Sequence, residues 1–207
     1  MSQDKGDLTN PAMVIAYPIK DGLYLNITNR CQNACRFCIR DTTNGVGYNL
    51  WLEHEPTVED MIKAIGNPAD YREIVFCGYG EPLTRPVVVI EVSRWIKQES
   101  VSIPVRLNTN GLADLFLGYD VLPQLKGLID VISISLNAVN ASSYAEITQS
   151  EYGLKAYPAL LEFIKRSRDY IPEVVVTAVN YPGVDLEGFG EIAKKLNVMY
   201  KIRNYQQ

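Results

Sequence analysis

The sequence lacks the features that mark several classes of protein. It has no run of roughly 18 apolar residues, so we expect no membrane span. Only four cysteines occur in 207 residues, and residues 1–7 do not resemble a secretory signal, which argues against a disulfide framework and predicts a reducing cytoplasm. Basic residues are fewer than acidic ones (20 against 24), and the resulting net charge of -4 argues against general nucleic-acid binding.

Three of the four cysteines are clustered near the start of the chain. Cys31, Cys35 and Cys38 fall in the stretch Cys-Gln-Asn-Ala-Cys-Arg-Phe-Cys, with gaps of three and then two residues. Such gaps favour joint binding of a metal over pairing of the thiols with one another. Three thiolates bind three irons of a cubane 4Fe–4S cluster, and the fourth iron then lacks a protein ligand. An open coordination position separates reactive metal centres from closed structural ones.

A structural zinc site is the main alternative interpretation of these cysteines. It needs a fourth ligand, either from Cys77 or from the only histidine, His54. The spacing of the three clustered cysteines is poor for a zinc knuckle. Outside that alternative, we expect His54 to be an exposed loop residue and Cys77 to be a small buried side chain.

The rest of the chain alternates between strand and helix patterns and predicts a single α/β domain. We expect an N-terminal arm over residues 1–22 and a core domain over residues 23–207. The predicted strands are 23–28, 73–77, 105–108, 131–136, 174–179 and 198–203, and the predicted helices are 57–65, 88–96, 119–126, 156–164 and 185–196. Residues 41–56 form a long segment with little periodicity, which is typical of a lid or a binding element.

Several predicted strands have one apolar and one polar face. In 131–136, Ile132 and Ile134 oppose Ser133 and Ser135. Strands covered by helices on both faces normally consist of nearly continuous apolar runs. The alternation therefore favours a curled sheet with a polar lumen, a barrel or partial barrel, over an open doubly wound sheet.

With its cysteine spacing and the aromatic Phe37 before the last cysteine, the sequence resembles the radical S-adenosylmethionine (radical SAM) superfamily over nearly its whole length. The resemblance implies a (β/α)6 partial barrel with the cysteine loop after the first predicted strand. It also implies a 4Fe–4S cluster held by Cys31, Cys35 and Cys38 as metal ligands and catalytic residues. In that family, the cluster reductively cleaves S-adenosylmethionine to a 5′-deoxyadenosyl radical, which abstracts hydrogen from a substrate.

The stretch Gly78-Tyr79-Gly80-Glu81-Pro82 resembles the family's Gly-Gly-Glu-Pro segment, with a departure at Tyr79. The resemblance implies that Gly80 and Glu81 hold the methionyl ammonium of the cofactor. The resemblance also implies contacts to the ribose at the polar strand ends, where the family often places them, and residues 179–183 loosely resemble the family's adenine-binding segment. The full set of expected cofactor-binding residues is Phe37, Gly78, Tyr79, Gly80, Glu81, Asn108, Asn110, Ser133, Ser135, Asn137, Val179, Asn180 and Arg203.

Two further expectations concern the substrate and the partners. Arg106, Lys201 and Arg203 could line the lumen and bind an anionic substrate or the methionyl carboxylate, or they could lie on a solvated surface. We expect a flavodoxin- or ferredoxin-type electron donor and an unidentified small-molecule or protein substrate.

Three segments narrow the resemblance further: residues 23–31, residues 37–40 and residues 76–82. Together they are similar to the small group called TatD-associated radical SAM proteins. Glycyl-radical-enzyme activases and 7-carboxy-7-deazaguanine-synthase-like enzymes are alternatives within the superfamily, and a non-catalytic metal-binding scaffold module is the alternative of another class.

Overall fold

Seven strands form one sheet in which every strand lies beside its neighbour in the sequence. The computed structural model describes residues 13–42 and 45–205. Its strands are β1 (Ala16–Ile19), β2 (Gly22–Leu25), β3 (Glu73–Phe76), β4 (Val105–Thr109), β5 (Val131–Ser135), β6 (Glu173–Asn180) and β7 (Met199–Asn204). β1 and β2 form an antiparallel hairpin, and all later pairings are parallel. β1 and β7 are the two edges, so the sheet is not closed.

The helices connect the parallel strands. They are α1 (Val58–Ile65), α2 (Pro86–Glu99), α3 (Ala113–Leu117), α4 (Leu122–Leu125), α5 (Ala141–Thr148), α6 (Ala156–Tyr170) and α7 (Leu186–Lys195). Parallel strands in sequential order, joined by crossovers of one hand, keep their helices on one side of the sheet. The main core lies on that side, where apolar residues such as Phe76, Leu107 and Ile134 are fully buried. The α/β partial barrel predicted from the sequence is confirmed.

The two ends of α1 show how the local sequence determines where a helix begins and ends. Thr57 accepts a hydrogen bond from the backbone N–H of Asp60, and the Asp60 carboxylate accepts the backbone N–H of Thr57 in return. This capping box begins the helix, as the sequence predicted. Gly66 ends it with a positive φ of 66°.

Three elements differ from the prediction. β1 lies within the expected arm, where short alternation over four residues gave no clear signal, and it extends the sheet by one strand. Residues 1–12 of the expected arm lie outside the described residues. α3 and α5 were not predicted, because α3 is only five residues long and α5 is built largely from small and polar residues.

A second, smaller apolar cluster covers the opposite, inner face of the first three strands. Tyr17, Leu50 and Tyr79 are buried in it, and Tyr24 and Tyr48 pack against them. We call residues 45–52, which contribute Leu50 and Tyr48, the inner plug. The inner plug is tied down by Asn26, whose Nδ2 donates to the carbonyls of Leu50 (2.7 Å) and Val14 (3.0 Å). The long segment after the cysteines therefore packs over the inner face of β1–β3.

Polar side chains close the lower end of the inner face, at the amino ends of the strands. Arg106 donates to Glu73 (2.8 Å) and to the Tyr24 hydroxyl (3.0 Å). Within the described part of the chain, no helix is both long and apolar enough to cross a membrane.

Candidate functional site

The cysteine loop leaves the carboxyl end of β2, at the edge of the sheet where parallel strands carry their functional loops. Its backbone is bound on one side to the end of α5. Ala34 donates to the carbonyl of Thr148 (2.9 Å), and Arg36 donates to the carbonyl of Ile147 (3.0 Å). Asn33 adds a side-chain bond to the Tyr144 hydroxyl (3.3 Å). The unpredicted helix α5 therefore supports the cysteine loop.

All four thiols are free, and each is partly exposed. Burial, followed by the charge of Glu81, raises the pKa of Cys31 to about 11. Burial, followed by the charges of Cys31 and Cys38, raises the pKa of Cys35 to about 12. The three clustered thiols are therefore close enough to raise one another's pKa, and they are protonated at neutral pH. Metal binding by these thiols must release protons.

The described thiols are not gathered around one point, as the ligands of a single metal ion would be. Within residues 13–42 and 45–205, no three His, Cys, Asp or Glu side chains gather closely enough to hold one metal ion. A cubane places its three thiolate ligands on three different irons, farther apart than the ligands of one zinc ion. His54 is exposed and lines a separate surface cavity of about 340 Å³ with Asp60 and Lys63. The described residues therefore offer no fourth zinc ligand from His54.

The segment 78–81 lies directly against the residue that precedes the first cysteine. The backbone N–H of Glu81 donates to the carbonyl of Arg30 at 2.7 Å. A Cβ on Gly80 would meet the Thr28 carbonyl and lie 2.6 Å from the Arg30 carbonyl oxygen. Only glycine permits this approach of two backbones. A Cβ on Gly78 would likewise collide with the Asn26 side chain, whose Oδ1 accepts from Tyr79 (3.4 Å).

The Glu81 carboxylate is only 4% exposed and has three partners within the chain. Oε1 accepts from the backbone N–H of Leu83 (3.0 Å) and the hydroxyl of Thr109 (2.8 Å), and Oε2 accepts from the backbone N–H of Asn110 (2.6 Å). Burial raises its pKa to about 7 against the lowering effect of these bonds. Glu81 thus joins the end of β3 to the end of β4, and its expected role toward an ammonium stays a prediction.

Asn110 is the residue of the predicted set that reaches a cysteine sulfur. Its Nδ2 lies 3.8 Å from Cys31 Sγ and 3.1 Å from Gln32 Oε1. The backbone N–H of Asn33 lies 3.5 Å from the same sulfur. Asn108, two residues earlier, points to the inner face, and its Oδ1 is buried without a hydrogen-bond partner among the described residues. Such an orphaned atom suits a polar ligand.

The polar residues after β5 have different surroundings. Asn137 has a φ of 53°, and its Oδ1 accepts the backbone N–H of Val179 (3.1 Å), so part of its amide is used to hold β6. Ser133 is buried and accepts from Arg203 (3.1 Å). Ser135 is half-buried on the same inner face. Ser133 and Ser135 therefore line the inner face that the inner plug leaves open.

An aromatic row joins the cysteine loop to the last strand. The rings of Phe37 and Tyr181 are 5.6 Å apart, and those of Tyr181 and Tyr205 are 5.0 Å apart, measured between centroids. Val179 is half-buried and Asn180 is exposed at the end of β6, next to this row. The structure thus brings Phe37 close to Tyr181, within the segment 179–183 predicted to bind adenine.

The three basic residues expected in the lumen separate into two groups. Arg106 is paired with Glu73 at the lower end, so its expected role in substrate binding is not supported by its position. Lys201 and Arg203 lie on β7 opposite Thr177 and Val179. Neither forms an ion pair with a carboxylate of the described residues. Arg203 instead reaches across β6 to Ser133.

Cys77 stands apart from the clustered cysteines. Its carbonyl accepts the hydroxyl of the buried Tyr17 (2.9 Å), at the end of β3 and beside the inner plug. It is half-buried, which agrees in part with the expected buried side chain.

Sequence reasoning missed several residues that support the site. Glu55 accepts from Thr28 (2.6 Å) and Arg30 (2.7 Å), which fastens the segment after the inner plug to the entrance of the cysteine loop. Asn26 anchors the inner plug itself. Of these residues, the sequence indicated the position of Asn26 and Thr28 alone, because the alternation of apolar and polar residues in the first predicted strand places them on its polar face.

The family model described as Radical SAM superfamily matches residues 25–196, a range that includes the cysteine loop, segment 78–81 and strands β3–β6. The chain belongs to the radical SAM superfamily. Members of this superfamily generally use a 4Fe–4S cluster and S-adenosylmethionine. The search of curated proteins found no match.

Two solved structures share the fold of this chain. Streptococcus suis SuiB, solved bound to the precursor peptide SuiA, aligns with a TM-score of 0.66 and 14% identity over 90% of this chain and 39% of its own. Methylornithine synthase (PylB) aligns with a TM-score of 0.62 and 11% identity over 89% of this chain and 53% of its own. The chain thus spans about two fifths and about half of these two proteins. At such identities the likeness shows the fold alone.

Proposed function

We propose that this protein is a radical SAM enzyme that reductively cleaves S-adenosylmethionine and directs the resulting 5′-deoxyadenosyl radical to a substrate. The observation that carries the proposal is that Cys35 lies within electrostatic reach of Cys31 and Cys38, on a loop whose entrance is bound to the glycine–glutamate segment at the carboxyl edge of the sheet. The membership of the chain in the superfamily supports the same chemistry.

Each group of residues has a proposed task. Cys31, Cys35 and Cys38 would hold three irons of the 4Fe–4S cluster, which supplies one electron for cleavage of the sulfonium–C5′ bond. The backbone of Gly78–Glu81 would receive the methionyl ammonium, because it lies against the entrance of the cysteine loop and glycine there permits close approach.

The remaining predicted residues would hold the nucleoside part of the cofactor. Asn108, Ser133 and Ser135 present polar atoms on the inner face and suit the ribose diol, while Asn137 shapes the adjoining turn. Phe37, Val179 and Asn180 lie near one another beside Tyr181 and suit the adenine. Arg203 supplies positive charge that no carboxylate of the described residues neutralises, and we assign it to the methionyl carboxylate or to an anionic substrate.

Within the superfamily we propose that the chain is a TatD-associated radical SAM protein, on the basis of the three sequence segments described above. We further propose a cytoplasmic location and reduction by a flavodoxin- or ferredoxin-type donor, because both the cluster and its free thiols need a reducing environment. The substrate stays unidentified.

Anaerobic reconstitution with iron and sulfide tests the proposal. We expect a brown protein whose reduced EPR signal changes when S-adenosylmethionine is added, and which releases 5′-deoxyadenosine. Adding cell extract should stimulate this release if it contains the substrate. A colourless protein that carries one zinc ion would identify a non-catalytic metal-binding module instead.

A further inference from the structure

The side-chain amide of Asn110 is held in one orientation. Its Oδ1 accepts the backbone N–H of Leu112 at 2.9 Å, which leaves Nδ2 facing the cysteine loop. There Nδ2 lies within hydrogen-bonding distance of Cys31 Sγ (3.8 Å) and Gln32 Oε1 (3.1 Å). Asn110 is only 7% exposed, so water competes little with these two acceptors for its N–H groups.

The backbone on both sides of Asn110 is also fixed. Its own N–H donates to Glu81 Oε2 at 2.6 Å, and Thr109 donates to Glu81 Oε1 at 2.8 Å. Gly111 follows with a φ of 75°, and a Cβ there would lie 2.9 Å from Ile134 Cγ2. The turn therefore cannot rotate the amide away from the sulfur without breaking buried contacts.

Glu81 connects this turn to the cysteine loop a second time, because its backbone N–H binds the carbonyl of Arg30. Asn110 and the residue before Cys31 are thus both bound by Glu81, the first through its carboxylate and the second through its peptide N–H. The geometry points to a role for Asn110 that its expected contact with the cofactor does not include: we propose that Asn110 is a positioning residue whose N–H···S bond to Cys31 raises the reduction potential of the cluster. This inference rests on the proposed function.

The physical reason lies in the charge of the reduced state. One-electron reduction adds negative charge to a cluster, and part of it resides on the thiolate sulfurs. Hydrogen bonds to those sulfurs stabilise the reduced form and raise the potential. Asn110 is the side-chain donor that the described structure provides to a clustered cysteine, alongside backbone donors from Asn33 to Cys31 and from Arg40 to Cys38.

Two substitutions at Asn110 remove the N–H···S bond to Cys31 but keep the side-chain acceptor that stabilises the turn. Asn110→Ser keeps an acceptor for Leu112 but is too short to reach Cys31. Asn110→Asp keeps the shape and the acceptor but has no N–H to donate. Asn67→Ser is the matched control, because Asn67 Oδ1 accepts the N–H of Ala69 in the same kind of turn (3.2 Å), at the opposite end of β3.

The test is a potentiometric titration followed by EPR on reconstituted protein without S-adenosylmethionine, with iron and sulfide content measured first. We expect Asn110→Ser to lower the equilibrium constant for reduction roughly tenfold, about 59 mV for one electron, and Asn110→Asp to lower it further. Asn67→Ser should keep the wild-type potential. Wild-type potentials in both fully loaded Asn110 variants would overturn the inference, whereas a wild-type protein that binds no iron would overturn the proposed function.

A second measurement uses the unaltered protein, in case the variants load poorly. With asparagine labelled by ¹⁵N in the side chain, pulsed EPR of the reduced cluster should show a weak ¹⁵N coupling transmitted through the N–H···S bond. The absence of any such coupling in the loaded wild-type protein would overturn the inference.

Discussion

Glu81 Oε2 accepts the backbone N–H of Asn110 over 2.6 Å, and this buried bond joins the carboxyl ends of β3 and β4. The same residue binds the carbonyl of Arg30 through its own N–H. Three loops are therefore held together by one side chain and its peptide group. Glu81 therefore holds the cysteine loop in place through hydrogen bonds within the protein itself.

The ionisation of Glu81 should make the stability of the metal-free protein depend on pH. Its folded pKa of about 7 lies above the ordinary value of 4.5 for a glutamate, so the folded state binds the proton more tightly than the unfolded state. The corresponding stability is fully present below the unfolded pKa and is lost as pH rises through the folded pKa, by up to about 3 kcal/mol. We expect Glu81→Gln to reduce the fall in free energy of unfolding between about pH 5 and about pH 8, measured by urea denaturation.

Glu55→Gln is the control for this experiment. Although burial raises the pKa of Glu55, the hydrogen bonds from Arg30 and Thr28 lower it overall. Its stabilisation is therefore present above the unfolded pKa and is lost only as pH falls. Glu55→Gln should lower stability while leaving the slope between about pH 5 and about pH 8 unchanged. An unaltered slope in Glu81→Gln would contradict the assignment.

Removal of a clustered cysteine should abolish iron binding. Serine at Cys31, Cys35 or Cys38 leaves two thiolates, too few for a cubane that lacks a fourth protein ligand. Cys77→Ser is the matched control, since Cys77 lies beside Tyr17 at the inner plug. Iron content and visible absorption after anaerobic reconstitution measure the effect. Full loading in any of the three clustered variants, or none in Cys77→Ser, would contradict the ligand set.

Gly80→Ala should disturb the entrance of the cysteine loop. The added Cβ would lie 2.6 Å from the Arg30 carbonyl oxygen and 2.9 Å from its nitrogen. Overpacking of this kind costs about 1–3 kcal/mol, and backbone atoms cannot easily move aside. Gly190→Ala in α7 is the comparison, because the nearest atom lies at 3.6 Å and alanine favours a helix. Thermal unfolding should show a lower Tm for Gly80→Ala only, and equal values would argue against close packing.

Arg203→Gln should weaken binding of S-adenosylmethionine. Loss of a charged hydrogen bond to a carboxylate costs about 1.5–3 kcal/mol, or roughly tenfold to a hundredfold in Kd. Calorimetry on the reconstituted, oxidised protein measures the change. Arg168→Gln, on the exposed side of α6, should leave Kd unaltered. An unchanged Kd in Arg203→Gln would remove the methionyl carboxylate as its partner and leave an anionic substrate.

The sequence predicted those parts of the molecule that depend on local pattern. Alternation in 131–136 placed Ser133 and Ser135 on the inner face, and the spacing of the cysteines indicated joint metal binding. Both arguments need only a few neighbouring residues, because strand and loop geometry are local. The parallel order of the strands followed from the alternation of elements.

Long-range contacts were beyond such reasoning. Arg106 and Arg203 both lie on inner faces of strands, yet Arg106 is paired with Glu73 at the lower end and Arg203 is not paired with a carboxylate of the described residues. The difference in their partners depends on their position along the strands, near the amino or the carboxyl end, and on residues that are distant in the sequence. The contact between α5 and the cysteine loop could not be predicted from the sequence either. It is made by backbone hydrogen bonds, which any residue can form.

The inner plug divides the inner face of the sheet into two parts. Residues 45–52 pack over the inner face of β1–β3, whereas Ser133 on β5 and Arg203 on β7 lie on the part of that face beyond the inner plug. Along β7, Met199, Tyr200 and Ile202 are all exposed. Under the proposed function, Lys201 and Arg203 would give this open part of the sheet a positive charge, which would favour an anionic substrate over a neutral one.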